Sequence, residues 1–135
     1  MWLLWEAFQF SRRSFDEALR HHGVSGTQLS VLNRIALRPG LSGSELSRLM
    51  LTTPQAAQLT MASLESKGLI ERKADSGNGH VVRSVLTEKG QRVVNSCAVE
   101  VESVERRLLT ILTAEQQQAL SALLRAYLRQ LPDSD

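Results

Sequence analysis

The strongest constraint on the fold is a change in the spacing of apolar residues at Gly68. Before Gly68, apolar residues recur at intervals of three or four, which indicates one face of a helix. After it, residues 69–73 and 81–86 have the pattern of short strands, and residues 74–80 between them are rich in turn formers. The chain therefore continues from a helix into a β-hairpin. The helical stripe consists of Ala57, Met61 and Leu64.

Helix-capping patterns divide the residues before the hairpin into short helices. In a capping box, a hydroxyl and the side chain three residues later cover free backbone amides of the first turn. A threonine followed by proline also marks a helix start, because proline suits the first helical position. The three predicted starts are Ser25 with Gln28, Ser42 with Glu45, and Thr53 before Pro54. We expect the third helix at residues 44–50 and the fourth at residues 54–67.

Longer amphipathic helices are predicted on both sides of this central region. A first helix at residues 2–21 is apolar on more than one side, so it needs more than one partner, from its own chain or another subunit. Thr87 caps a fifth helix with a narrow apolar seam typical of helix-against-helix packing, and Thr113 with Gln116 opens a sixth. The seam is Val94, Cys97, Val101, Val104, Leu108 and Ile111. The apolar side of the sixth helix is Leu120, Leu123, Leu124, Tyr127 and Leu131.

These elements predict one domain, residues 1–135, that is mostly α with a small β-hairpin wing. Two closely linked helices followed by a hairpin form a winged helix-turn-helix, here within residues 24–90. Residues 1–23 and 91–135 would supply long N- and C-terminal dimerisation helices. In a winged helix the second of the paired helices can enter the DNA major groove, while the hairpin tip reaches the adjacent backbone or minor groove. Winged helices also serve as protein-binding modules, so the pattern alone leaves both functions open.

Composition favours a globular protein of the cytoplasm. The chain has 135 residues, of which 42% are hydrophobic and 22% charged, which is enough to bury a core without disulfides or metals. A single cysteine excludes an intrachain disulfide and favours a reducing compartment, although it leaves open one bridge between subunits. No stretch reaches the roughly 18 apolar residues of a membrane span, and the apolar start lacks the basic segment of a secretory signal. We expect no membrane partner.

Charge is unevenly distributed along the chain. Residues 24–90 hold eight Lys or Arg and five Asp or Glu, a net charge of +3, whereas the whole chain carries +2 and the flanks therefore −1. A basic surplus in the central region weakly favours a polyanionic partner.

The chain resembles the multiple antibiotic resistance regulator (MarR) family. The matching residues follow the family's order and are Val24, Ser25, Gln28, Val31 and Leu32, then Glu45, Leu46 and Leu49, then residues 64–72 (LESKGLIER), then Leu86, Thr87 and Gly90. The resemblance implies a homodimer joined by the first, fifth and sixth helices. It also implies a pseudo-palindromic site in double-stranded DNA as partner, released by a small-molecule effector.

Two features of the family pattern are missing. Members usually carry an arginine in the middle of the recognition helix, the fourth helix here, with charged residues beside it. Leu59, Ala62 and Ser63 occupy those positions, and the helix has no arginine. The family's wing usually carries an Asp followed by Arg residues that reach the minor groove. Those places hold Asn78, Gly79 and His80.

Base recognition would then depend on uncharged side chains of the recognition helix. Gln55 and Gln58 are the main predicted readers, because a glutamine amide pairs with the major-groove edge of adenine. Leu59 could contact a thymine methyl group, with Thr60 and Ser63 as weaker readers. This set predicts an A·T-leaning site or weak binding.

Phosphate contacts are expected from residues around the helix and the wing, because such contacts fix the register and supply most of the affinity. The predicted phosphate contacts are Arg48, Thr52, Thr53, Lys67, Arg72 and Lys73, with Arg83 if it faces the groove. The wing residues Asn78 and His80 are also expected to contact DNA. The alternative interpretation of each of these residues is an ordinary exposed surface residue without a DNA contact.

Three other places in the sequence carry side chains capable of redox chemistry, metal binding or anion binding. Cys97 falls on the apolar seam, so it is predicted to pack as a small hydrophobe rather than to sense oxidants. His21 and His22 are adjacent and would point about 100° apart on a helix, so we expect no metal site. Arg12 interrupts the apolar stripe of the first helix. It is predicted either to pair with Glu6, Asp16, Glu17 or another subunit, or to hold an anionic ligand.

The leading hypothesis is a DNA-binding transcription regulator, a ligand-responsive repressor that binds as a homodimer. The alternative is a winged-helix sensor or protein-interaction module with weakened or lost DNA binding, favoured by the missing arginines. The sequence contains no glycine-rich phosphate loop, no Gly-x-Ser-x-Gly elbow and no Cys and His grouping at ligand spacing. We therefore expect neither an enzyme nor a cofactor.

Overall fold

The computed structural model describes residues 2–77 and 79–129. Asn78 and Leu131, both named above, lie outside the described residues. The elements are α1 (Trp2–Leu19), α2 (Gly26–Leu37), β1 (Leu41–Ser42), α3 (Gly43–Leu49), α4 (Pro54–Ser66), β2 (Ile70–Ala74), β3 (Val82–Leu86), α5 (Glu88–Leu109) and α6 (Ala114–Leu128). This order confirms the predicted fold class. Within the two described ranges, no helix combines the length and apolar character needed to cross a membrane.

All the predicted helix starts are confirmed. Reciprocal capping boxes form at Ser25, Ser42 and Thr113, each with the side chain three residues later. Thr53 accepts a hydrogen bond from the amide of Ala56, and Thr87 accepts one from the amide of Gly90. Caps of this kind each stabilise a helix by about 0.5–2 kcal/mol, so the local sequence defines where most helices begin.

The end of the first helix differs from the prediction. Helix α1 stops at Leu19, and Arg20–His22 form a single 3-10 turn. Gly23 follows with φ of 72°, and its amide donates to the carbonyl of Arg20 over 3.1 Å. A residue with a side chain is disfavoured at that φ, so glycine sets the direction of the turn. The two histidines are therefore not on the continuous helix that was expected.

The wing belongs to a three-stranded antiparallel sheet in the order β1-β3-β2. Strand β2 pairs with β3 from Ile70↔Leu86 to Ala74↔Val82, which places the predicted hairpin within one residue of its expected bounds. Strand β1 was not predicted. It pairs Leu41 with Ser84 and thereby joins the start of α3 to the middle strand of the sheet.

The core lies where α2, α3, α4 and the sheet meet the first half of α5. Met61 and Leu64 are fully buried, as the apolar period of α4 predicted. Cys97 is fully buried in the same cluster, which confirms its predicted packing position. Burying an aliphatic side chain of this size contributes about 1.5–3 kcal/mol, so the core fixes α4 firmly by its inner side.

Large apolar surfaces remain exposed on the first half of α1 and on α6. Helix α6 has no buried residue, and α1 buries only Ser14 and Leu19. The predicted α5 seam is shorter than expected, because α5 ends at Leu109 and Ile111 is 86% exposed. The exposed side chains are Trp2, Leu3, Leu4, Trp5, Phe8, Phe10, Leu120, Leu123, Leu124, Tyr127 and Leu128. Apolar surface of this extent is typical of an interaction site.

Candidate nucleic-acid interface

Helix α4 presents one side to solvent because its other side is anchored in the core. A tight turn at residues 50–53 joins α3 to α4, with Leu51 in the left-handed region at φ of 51°. The exposed outer face of α4 consists of Gln55, Gln58, Leu59 and Ala62. These residues recur at three- and four-residue spacing, so they share one side of the helix. Pro54 and the wing residue Arg72 complete the shallow groove along this outer face.

The principal predicted base readers lie on the outer face. Gln55 is exposed and makes no side-chain hydrogen bond among the described residues. Leu59 is 74% exposed, an arrangement open to an apolar contact with a thymine methyl group. Both side chains are therefore exposed on the same side of α4.

Gln58 is held in place by a neighbouring strand. Its Oε1 accepts a hydrogen bond from Nη1 of Arg72 on β2, at 3.0 Å. The Nε and Nη2 atoms of Arg72 lie 2.8 and 2.7 Å from Oε2 of Glu65. Glu65 was not predicted as part of the site. A carboxylate near the end of α4, only seven residues before Arg72 on β2, could have indicated this ion pair. The three side chains link α4 to the wing.

Gly43 is a second unpredicted contributor to the position of Gln58. A Cβ atom at residue 43 would lie 2.5 Å from Nε2 of Gln58. Glycine at the start of α3 thus leaves the space that the Gln58 amide occupies. Nothing in the local pattern of α3 indicated this contact, because the two residues are on different helices.

Two predicted weaker readers do not lie on the outer face. Thr60 donates its hydroxyl proton to the carbonyl of Ala56 over 3.0 Å and borders an interior cavity. Ser63 accepts a hydrogen bond from Nε2 of Gln28 over 3.0 Å and therefore faces α2. Both positions adjoin the buried stripe of α4, which directs their hydroxyls toward the protein.

The ammonium group of Lys67 is engaged in hydrogen bonds within the domain. Its Nζ donates to the carbonyl of Gly23 at 2.7 Å and to Oε1 of Gln28 at 2.9 Å. Its own carbonyl accepts from Nζ of Lys89 at 2.8 Å. Lys67 thereby joins the end of α4 to the start of α2 and to α5.

Arg83 is directed back into the domain rather than toward the wing tip. Its Nε donates to Oδ2 of Asp75 at 3.1 Å, and its Nη1 donates to Oε2 of Glu45 at 3.0 Å. Hydrogen bonds from the Gly77 amide and from Arg83 hold the pKa of Asp75 below its usual range. The pKa of Glu45 is lowered as well, chiefly by the backbone and side chain of Ser42, with smaller contributions from nearby arginines. Both carboxylates stay ionised and anchor the wing.

The remaining predicted phosphate contacts surround the outer face. Arg48 is exposed on α3 and forms no ion pair within residues 2–77 and 79–129. Thr52 and Thr53 are exposed at the turn before α4. Lys73 lies 3.0 Å from Glu71, but its side chain is 75% exposed, so this ion pair is weak and easily exchanged. His80 is exposed at the wing tip.

Behind α4 lies a cavity of about 530 Å³ between α1, α2, α3 and α4, within the usual size of small-ligand pockets. Phe8, Phe15 and Met61 contribute to its apolar lining, and Arg12 lies at its edge. The predicted ion pairs of Arg12 with acidic residues of α1 do not form in the described chain. Asp16 instead accepts from the amide of Gly26 at 2.7 Å. The cation at the cavity edge is thus available for a partner subunit or a ligand.

The expectation that His21 and His22 point apart is wrong. They lie on the 3-10 turn rather than on an α-helix, and their ring centroids are 4.0 Å apart. Both imidazoles reach Glu100 on α5. Because Glu100 is far away in sequence, no local pattern could place it beside them.

Comparisons with known proteins agree with this geometry. The profile of the MarR family matches residues 22–79. The HTH-type transcriptional repressor Rv2887 of Mycobacterium tuberculosis is 29% identical over 123 residues, which cover 91% of this chain and 88% of that protein.

Solved structures extend the likeness to nearly the whole chain. A mutant MarR from E. coli, complexed with operator DNA, is 25% identical with a TM-score of 0.88, covering 93% of this chain and 91% of that one. The Mycobacterium tuberculosis MarR family protein Rv2887 in complex with salicylic acid is 29% identical with a TM-score of 0.74, covering 93% of each chain. The family profile over residues 22–79, the winged-helix geometry and these relatives agree, so the chain is similar to members of the MarR family in fold and in the order of its elements.

Proposed function

We propose that this protein is a homodimeric, ligand-responsive transcription repressor that binds a pseudo-palindromic site in double-stranded DNA. The observation that carries the proposal is the exposed outer face of α4, which lies beside the wing and is fixed from behind by the core. A helix presented in this way fits the major groove. Support comes from a relative named as a transcriptional repressor and from a MarR structure with operator DNA.

The dimer is proposed from the apolar surfaces of α1 and α6. Helix α6 buries none of its residues against the rest of the described chain, although apolar side chains repeat along it. Residues 1–23 and 91–135 would join two copies and leave each 24–90 lobe free for DNA. Two recognition helices related by a two-fold axis read half-sites about 34 Å apart, or one helical turn.

Contacts to DNA are divided between bases and phosphates. Gln55, Gln58 and Leu59 would read base edges, because they form the outer face. The phosphate contacts we propose are Arg48, Thr52, Thr53, Lys73 and His80, all near that face or on the wing. Thr60, Ser63, Lys67, Arg72 and Arg83 are left out of this set because their polar groups are engaged within the domain.

The effector is proposed to bind in the cavity between α1 and α4. An apolar lining with Arg12 at the edge suits a small aromatic or aliphatic anion. The relative solved with salicylic acid is consistent with this class. Such a ligand would release DNA by favouring a dimer geometry with unsuitable spacing of the recognition helices, which requires unequal affinity for the two geometries.

The proposed function can be tested by selection of bound sequences from a random DNA pool. We expect enrichment of a palindromic, A·T-leaning motif, and binding to it should weaken steeply as salt increases. Absence of any enriched motif would instead favour a protein-interaction module, for which the exposed Leu59 on α4 is the supporting observation.

A further inference from the structure

Two imidazoles and one carboxylate converge where the end of α1 meets α5. Nε2 of His21 lies 3.2 Å from Oε1 of Glu100, and Nε2 of His22 lies 3.1 Å from the same oxygen. One ligand atom from each of the three side chains lies within 4.8 Å of the others. The cluster is separate from the outer face of α4 and from the cavity beside Arg12.

The hydrogen bonds of Ser96 determine which nitrogen of His22 carries the proton. Ser96 donates its only hydroxyl proton to the carbonyl of Val93 over 3.0 Å. Its oxygen lies 3.2 Å from Nδ1 of His22 and must therefore accept from that nitrogen. In the neutral imidazole, Nδ1 is protonated and Nε2 holds a free lone pair.

The lone pair on Nε2 of His22 therefore lies beside a carboxylate. Nε2 is 3.1 Å from Glu100 Oε1, but with the proton on Nδ1 it has none to donate to that oxygen. Within the described part of the chain, Nε2 of His22 and Oε2 of Glu100 are both buried without a hydrogen-bond partner. Buried acceptors left unsatisfied are costly and rare. A cation bound by Nε2 of His22 and the Glu100 carboxylate would give these acceptors a partner.

We infer that His21, His22 and Glu100 form a binding site for a first-row divalent transition metal, with Zn²⁺ as the representative ion. Imidazole and carboxylate are ligands that zinc prefers, and zinc bound at about 2.0–2.1 Å in a tetrahedron places its ligand atoms about 3.3 Å apart. The two N···O distances observed are close to that value. The bond from His22 Nδ1 to Ser96 supplies the outer support that orients a metal-ligating histidine.

Three protein ligands leave a fourth position on the metal for water or another small ligand. The bound ion would connect the turn after α1 to the middle of α5, two parts of the chain that are 79 residues apart at His21 and Glu100. This inference replaces the sequence-based expectation of no metal. It does not depend on DNA binding.

The test is a Zn²⁺ titration of the metal-stripped chain, without a histidine tag, in competition with a chromophoric chelator. We expect one ion per chain, and His22→Ala and Glu100→Gln should each weaken binding at least about tenfold, the lower range seen when only an outer support is lost. His80→Ala is the matched control, because it removes the third histidine of the chain at the wing tip, and its affinity should equal that of the unmodified chain. Far-ultraviolet circular dichroism confirms that each variant is folded.

Two further readouts keep the inference falsifiable. Zn²⁺ should raise the unfolding temperature of the unmodified chain and of His80→Ala, but not of His22→Ala or Glu100→Gln, because only a ligand that binds the folded state stabilises it. Co²⁺ in place of Zn²⁺ should give the visible absorption of a tetrahedral site in the same two proteins. The inference is overturned if the unmodified chain binds Zn²⁺ no more tightly than His22→Ala, or if His80→Ala abolishes binding. In the first case a proton on His22 Nε2, rather than a metal, satisfies the buried carboxylate.

Discussion

Nη1 of Arg72 donates a hydrogen bond to Oε1 of Gln58 over 3.0 Å and so connects the first wing strand to the outer face of α4. Arg72 is also paired with Glu65, and its side chain is only 22% exposed. Helix α4 has no arginine of its own, but Arg72 of β2 contacts its outer face through Gln58. This contact holds the Gln58 side chain before any DNA is bound, which reduces the conformational entropy lost on binding.

Gly43→Ala should change base preference at the position read by Gln58. The added Cβ would lie 2.5 Å from the Gln58 amide nitrogen, and the flexible, exposed glutamine should give way rather than the helix. We expect little change in the unfolding midpoint and an altered sequence motif in a repeated selection experiment. An unchanged motif would show that Gly43 has no part in positioning Gln58.

Lys73→Ala and Lys67→Ala form a matched pair of lysine substitutions. Lys73 is largely exposed, so its loss should weaken binding to all DNA sequences alike and reduce the salt slope by about one unit. Lys67 donates to two oxygens of the domain, so Lys67→Ala should lower stability while leaving the salt slope unchanged. Binding titrations at several salt concentrations and urea unfolding measure the two effects. A reduced salt slope and unchanged stability for Lys67→Ala would contradict the structural role given to Lys67.

Leu124→Asp should separate the dimer into folded monomers. Leu124 lies at the centre of the exposed apolar side of α6, and a buried unpaired charge there would oppose association. Because α6 buries no residue against its own chain, the monomer should keep its circular dichroism spectrum. Light scattering measures the mass, with Leu59→Asp on the outer face as a control that should remain dimeric. A monomeric unmodified chain at micromolar concentration would contradict the proposed dimer.

We expect peroxide to have no effect on DNA binding by the unmodified chain, and Cys97→Ala should behave in the same way. Burial raises the pKa of the Cys97 thiol, and Glu100 nearby raises it further. The reactive thiolate is therefore scarce at neutral pH. Cys97→Ser should cost more stability than Cys97→Ala, by about 1–3 kcal/mol if its hydroxyl finds no partner in the core. A peroxide response that disappears with Cys97→Ala would show that the thiol is a sensor.

Sequence alone predicted the parts of the fold that local interactions determine. The helix starts at Ser25, Ser42 and Thr53 were correct because capping depends on residues within one turn. Strand β1 was missed because it is only two residues long and exists through its pairing with β3. The first helix was predicted too long because the change from an α-helix to a 3-10 turn at Arg20 leaves no mark in apolar spacing.

The site was predicted less completely than the fold, because side-chain direction depends on distant contacts. The exposure of Gln55 and Leu59 follows from helical spacing, since the buried stripe defines the opposite side, whereas their role as base readers stays a prediction. The inward hydrogen bond of Ser63 depends on Gln28, which lies 35 residues earlier. The inward direction of Arg83 depends on Glu45, 38 residues earlier. Such pairs become visible only once the elements are packed together.

The most direct test of the account is a titration of the unmodified chain and of Gln58→Ala on a selected site and on scrambled DNA. If the outer face of α4 reads bases, Gln58→Ala should cost about 1–3 kcal/mol on the selected site and relax preference at particular A·T pairs. Binding to scrambled DNA should hardly change, because phosphate contacts supply nonspecific affinity. Equal loss on both DNAs, or no loss on the selected site, would contradict the central claim that this face of α4 recognises sequence.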